Sequence, residues 1–314
     1  MASIAGTHPG AVPRRESELR LWRWVATVDH KQIGLLYIAT GFAFFAIGGI
    51  EALIMRLQLT TANAKLVGPN AYNQLLTMHG TTMIFLFVMP VLFGFANFFI
   101  PLMIGARDMA YPRLNALSFW LLLFGGLLLN YSPFAGGAPG VGWFAYAPLT
   151  ERAYSPGFGV DYWGLSVLLL GAGTLASAVN FVVTITTFRA PGMSWSRLPV
   201  FIWMMLFTSV IVLAAFPSLT AAAVMLLADR HFGAHFFDTA GNGDALLWQH
   251  MFWFFGHPEV YIMILPAFGI MSEVVPVFSR KPIFGYTAMV ISGVAISFYS
   301  MAVWAHHMFA VGMG

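Results

Sequence analysis

The 314-residue chain is 59% hydrophobic and only 9% charged, with mean hydropathy +0.77, well below the roughly 25% charge of soluble domains. The absence of cysteine excludes disulfides, iron–sulfur clusters and thiolate-ligated haem within these residues. A net charge of +3 is too small for a nucleic-acid patch, so no nucleic-acid partner is expected and the basic residues read as membrane-topology signals.

Residues 1–28 read as a polar N-terminal tail, cytoplasmic by the charge count below. It lacks the apolar core and cleavage site of a signal peptide. Leu19–Val28 is expected to form a short interfacial helix. Residues 29–314 then form one transmembrane unit with no internal repeat. Seven apolar segments approach or exceed the ~20 residues needed to span a bilayer. They are expected near Gln32–Met55, Asn73–Ile104, Leu114–Phe134, Asp161–Phe188, Leu198–Leu227, Leu247–Val275 and Ile283–Phe309. The expected fold class is an all-α integral membrane protein.

Lysine and arginine set the expected orientation. The N-terminal tail and the even-numbered loops carry Arg14, Arg15, Arg20, Arg23, Lys31, Arg107, Arg113, Arg189, Arg197, Arg280 and Lys281. The other side carries Arg56, Lys65, Arg152 and Arg230. This imbalance predicts a cytoplasmic N-terminus and outward-facing loops at Ser132–Val160 and Ala228–Leu246.

The stretch Trp248–Met263, WQHMFWFFGHPEVYIM, places ionisable groups at membrane depth, where they are costly and signal function. His257 and Tyr261 are four apart and share a helix face. Glu259 lies about 200° round from His257, so one face offers an imidazole and a phenol while the other offers a carboxyl. Pro258 removes a backbone donor and is expected to loosen the helix there.

Under this topology His79, His257, His306 and His307 gather in the outer half of the membrane, with His257 roughly 15 Å deep. Imidazole suits copper, iron and zinc. Adjacent His306 and His307 project about 100° apart on a regular helix, so sharing one metal requires a locally distorted turn. With His257 they would form a three-nitrogen site, fitting copper better than magnesium or calcium, while ligand type alone leaves zinc open. His79, followed by Gly80, has room for a flat group to approach, as a haem axial ligand requires. On the opposite side Asp108 sits in a short loop, with Glu259 deeper. Asn97, Asn115 and Ser118 can line a hydrated path between the two acids, and a carboxyl buried this way suits proton relay.

These residues stand in a pattern that resembles subunit I of the haem–copper respiratory oxidases, most closely those of the cytochrome c oxidase type. The matching stretches are DHKQIGLLYI (29–38), TMHGTTMIFLFVMP (77–90), NFFIPLMIGARDMAYPRLN (97–115), FFDTAGNGDALLWQHMFWFFGHPEVY (236–261) and VWAHHMFAVGM (303–313). The resemblance implies a bacterial plasma-membrane enzyme that reduces O2 to water with electrons from cytochrome c, coupled to proton pumping. It implies His257, His306 and His307 as copper ligands. Tyr261 would be a phenol covalently linked to His257 that supplies an electron and a proton. It implies His79 as an axial ligand of a low-spin haem, with Arg56 near that haem's formyl group. Glu259 would be the proton donor at the end of a channel entered at Asp108 and lined by Asn97 and Asn115, and Ser272 would belong to a second channel.

Two haems and one copper, oxidase subunits II and III, an electron donor and surrounding membrane lipid complete the implied assembly. Members of the family have about twelve membrane helices and this sequence stops just after the seventh. The expectation is therefore an N-terminal portion, inactive alone, without the second low-spin haem ligand, the ligand of the haem facing copper, or the second channel's lysine. A quinol oxidase of the same family and, from another class, a proton-coupled transporter are the competing readings. A nitric oxide reductase fits Tyr261 and Glu259 less well.

Overall fold

The computed structural model describes residues 22–312; Arg14, Arg15, Arg20 and most of the N-terminal tail lie outside them. Of the expected interfacial helix, residues 22–25 are helical and the remainder to Val28 is not.

Seven helices follow in up-and-down order. Helix α1 (His30–Gln58) starts where the Asp29 carboxylate accepts the Lys31 and Gln32 amides at 2.9 and 3.1 Å, satisfying two donors the helix itself cannot. Helix α2 (Pro69–Ile104) opens on a proline at its first position, where no N–H is needed, and stops at Gly105, whose φ of 72° carries the chain out of the helix. Between Thr82 and Val88 this helix widens into a π-helical stretch, which its sequence does not announce. Helix α3 (Pro112–Tyr131) and helix α4 (Gly159–Thr187) follow. Helix α5 (Val200–Phe232) ends at Gly233, also left-handed. Helix α6 (Ala245–Ser279) is capped by the Asp244 carboxylate on Leu246 N–H, and helix α7 spans Tyr286–Ser300.

Helices α1 to α6 are long and apolar enough to cross a membrane; α7 is apolar but shorter. No strand occurs among the described residues. The seventh expected segment, Ile283–Phe309, therefore needs correction. It yields a 15-residue helix, after which the chain breaks into two short turns at Trp304–His307 and Phe309–Val311. Hydropathy reports apolar composition, and composition does not distinguish a continuous helix from tight turns. Helix α6, by contrast, runs straight through Pro258, Pro266 and Pro276, so Pro258 does not interrupt it. Pairwise packing joins α1 to α2, α3 to α4, α4 to α5, and α5 to both α6 and α7. The core holds Trp163, Trp248, Phe216, Phe252 and Phe255, while Phe42, Ile50, Phe124 and Phe298 face outward.

One buried ion pair locks the loop between α3 and α4. Arg230, at the end of α5, donates to both Asp161 carboxylate oxygens at 2.8 Å and to the carbonyls of Thr150, Ser155 and Gly157 at 2.6, 3.0 and 2.9 Å. His231 Nε2 donates to the same carboxylate at 2.8 Å. Asp161→Ala would leave a buried guanidinium without its counter-charge and is expected to destabilise the protein by about 3–5 kcal/mol. Its thermal midpoint in detergent and its yield from membranes measure this; a midpoint within a degree of wild type would contradict it.

In the same loop Glu151 is buried, and its Oε1 lacks a hydrogen-bond partner. Burial, then the carboxylates of Asp229 and Asp238, push it up to about 7, and Arg230 and His235 offset only part of this. The folded chain thus keeps a proton that the unfolded chain releases above the usual carboxylate range. Stability should fall as pH rises from about 4.5 to about 7 and level off beyond. Glu151→Gln should flatten that slope, read as thermal midpoints at pH 5 and 7.5; an unchanged slope would refute it.

Candidate metal centre

Three imidazoles converge where the α6 face meets the turn after α7. His257 is buried twelve residues into α6, and His306 and His307 lie on the Trp304–His307 turn. His257 Nδ1 lies 3.1 Å from His306 Nε2 and 3.3 Å from His307 Nε2. Ligand atoms of the three lie within 4.8 Å of one another, the one such grouping among the described residues. The distorted turn expected for adjacent histidines is present: a tight 3₁₀ turn replaces the regular helix and brings the two rings together, with centroids 4.1 Å apart and planes tilted by 37°. With no carboxylate in the set, the donors are all nitrogen and suit copper or zinc over calcium or magnesium.

The surrounding rings fix these imidazoles. Trp253, one turn before His257 on α6, lies flat on His307 at 4.0 Å and 4° and donates its indole N–H to the Tyr146 hydroxyl at 2.5 Å. Tyr261 packs against His257 with centroids 4.8 Å apart, so the four-residue spacing places imidazole and phenol on one face as expected. His257 Nε2 is buried with no partner. Trp253 and Tyr146 escaped the sequence reading because only the fold brings the α3–α4 loop onto α6.

His79 stands apart on α2. Its Nδ1 is 2.9 Å from the Gly48 carbonyl, an atom that only accepts, so Nδ1 carries a proton and in the neutral ring Nε2 is the nitrogen with the free lone pair. That is the tautomer an iron ligand needs. Gly80 also faces Trp143, whose Cβ would lie 3.2 Å from a side chain placed there. Arg56 is exposed in the last turn of α1.

At the other end, Asp108 lies in the loop between α2 and α3, its Oδ1 accepting Met109 N–H at 2.7 Å. The loop is pinned to α4, where the side chains of Thr184 and Asn180 accept the amides of Ala110 and Tyr111, both at 2.9 Å. Further in, Asn97 and Asn115 are fully buried; Asn97 Oδ1 and both side-chain polar atoms of Asn115 lack partners. Ser118 donates to the Asn115 carbonyl, and Tyr37 of α1 donates to Ser118 at 2.9 Å and reaches the Ser177 hydroxyl at 3.3 Å. His30 Nδ1 donates to the Asn97 carbonyl at 2.8 Å. Buried polar groups left unpaired between four helices are the lining ordered water requires. Tyr37, Ser177 and His30 were missed because no local pattern marks them.

Glu259 is fully buried in α6, and neither carboxyl oxygen has a partner. Ser272 lies apart from all of these, in the cleft between α6 and α7, its hydroxyl donating to the Phe268 carbonyl at 2.7 Å.

The family model described as Cytochrome C and Quinol oxidase polypeptide I matches residues 32–314. The putative cytochrome c oxidase subunit 1-beta of Streptomyces coelicolor is 56% identical over 311 residues, covering 97% of this chain and 54% of that protein. Cytochrome c oxidase subunit 1 of Bacillus sp. (strain PS3) is 52% identical, covering 94% of this chain and 48% of the relative. The chain thus spans about half the length of the curated relatives it matches. A cryo-EM structure of a heme-copper terminal oxidase dimer shares the fold, with TM-score 0.68 and 19% identity, over 90% of this chain and 46% of that one. Matched along nearly its whole length, this membrane-embedded chain belongs to the cytochrome c and quinol oxidase polypeptide I family.

Proposed function

We propose that this chain is the catalytic subunit, or the N-terminal part of it, of a terminal oxidase reducing O2 to water with electrons from cytochrome c, coupled to proton pumping. The observation that carries the reading is the convergence of His257, His306 and His307 beside Tyr261, on the same helix as the unpartnered Glu259. His257 Nδ1 and the Nε2 atoms of His306 and His307 would hold copper, and His79 Nε2 would hold the iron of a low-spin haem, with Arg56 toward its edge. When bound, these groups supply the electron transfer and the open coordination position that O2 chemistry needs.

The chain's own residues move the protons. Asp108 takes a proton at the surface, water between Asn97, Asn115, Ser118 and Tyr37 passes it inward, and the Glu259 carboxyl holds it next. The Tyr261 phenol supplies a proton and an electron. Its link to the copper-ligating His257 would use Nε2, the atom left without a partner, replacing that N–H and a phenol ring C–H by an N–C bond, with the two protons and two electrons passing to O2. Ser272 would serve a second proton path. The N-terminus lies in the cytoplasm of a bacterium, and subunits II and III complete the assembly.

Cytochrome c is favoured over quinol as donor by FFDTAGNGDALLWQH and by the names of the relatives. Elemental copper, haem spectra and O2 consumption with reduced cytochrome c, measured on the oxidase purified from membranes carrying this chain, test the reading. A protein free of copper and haem would end it.

A further inference from the structure

His306 and His307 leave α7 behind and sit on a turn of four residues, and such a turn has little rigidity of its own. Its orientation has to come from what it rests on. Two residues before His306, the Trp304 indole N–H points at His250 Nδ1 of α6, 3.2 Å away. The same indole packs edge-on against Phe254, with centroids 5.3 Å apart at 74°, and against the His250 ring at 6.4 Å and 74°. His250 and Phe254 are one helical turn apart, and His257 follows on the next turn. Because an indole only donates, His250 Nδ1 must be the acceptor, so this histidine serves as a neutral hydrogen-bonding post.

We propose that His250 is a positioning residue for the metal centre. Through Trp304 it sets the rotation of the Trp304–His307 turn, and hence where His306 Nε2 and His307 Nε2 fall relative to His257 Nδ1. The stacking of Trp253 restrains only the His307 ring plane. Apart from the ligand nitrogens themselves, the Trp304–His250 bond is a directional contact that ties the turn to the helix bearing the third ligand. All three nitrogens then face one point before any ion arrives, as outer-shell partners do at other metal sites.

The inference rests on copper occupying this triad, and the experiment separates the two claims. Copper retention is followed during dialysis of the purified oxidase against a chelator, with copper-edge X-ray absorption reporting ligand order and the low-spin haem spectrum reporting the rest of the fold. Wild type, His250→Phe, Trp304→Phe and His250→Gln are compared; glutamine restores an acceptor for the indole and phenylalanine does not. Expected are copper affinities about 10-fold or more lower in His250→Phe and Trp304→Phe, disordered nitrogen shells, unchanged haem spectra, and recovery in His250→Gln. Copper retained as in wild type by His250→Phe, or lost equally by His250→Gln, would overturn the positioning role. Wild-type protein that never carries copper would overturn the metal assignment instead.

Discussion

Glu259→Gln is expected to cut O2 consumption by about 10²-fold or more, a loss in the range of a positioned acid–base group, while copper and haem content stay at wild-type levels. The substitution is nearly isosteric, and glutamine can accept and donate hydrogen bonds but cannot release a proton in turnover. Glu259 is fully buried and neither oxygen is bonded, so no ion pair or cap is lost with the carboxyl. A thermal midpoint equal to or above wild type should accompany the lost turnover, because an unpaired buried ionisable group contributes no stability. Stopped turnover with intact metals and fold isolates proton delivery from structure. Turnover equal to wild type in the assembled oxidase would remove Glu259 from the path.

The parts legible in the sequence share one property: they are local. The α6 signature reads directly because His257, Glu259 and Tyr261 lie within five residues, where helix periodicity alone decides which share a face, and the His257–Tyr261 contact follows it. The need for a distorted turn at His306–His307 is likewise local, since two adjacent side chains cannot converge from a regular helix. Six of the seven membrane segments follow from apolar length, and the seventh failed where composition and helical continuity part company.

What escaped is held by long-range pairing. Arg230 meets Asp161 across 69 positions and Trp253 meets Tyr146 across 107, with no spacing rule to join either pair. Tyr37 shows only a buried phenol in an apolar helix until α3 and α4 bring Ser118 and Ser177 to it. Beside Gly80 lies an indole, Trp143, from a loop more than sixty residues away, a contact that no local spacing announces. Orphaned polar atoms at Asn97, Asn115 and Glu259 are visible only once packing shows what fails to reach them.

His306→Ala tests the metal assignment most directly, and its expected result is loss of copper with the low-spin haem spectrum intact. Removing an outer-shell partner typically costs 10–100-fold in metal affinity, so losing one of three direct ligands should cost at least about 100-fold. Most of the copper should leave during purification in the presence of a mild chelator. The fold should survive, because His306 is exposed at the edge of the turn, whereas His257 is buried in α6. The haem spectrum should survive for a separate reason: His79 lies on α2 and takes its orientation from the Gly48 carbonyl of α1, not from the Trp304–His307 turn. Elemental analysis, the visible spectrum and the thermal midpoint on one preparation distinguish the outcomes. Normal copper content would refute His306 as a ligand, and joint loss of copper, haem and stability would mean that the turn holds the bundle together as well as the metal.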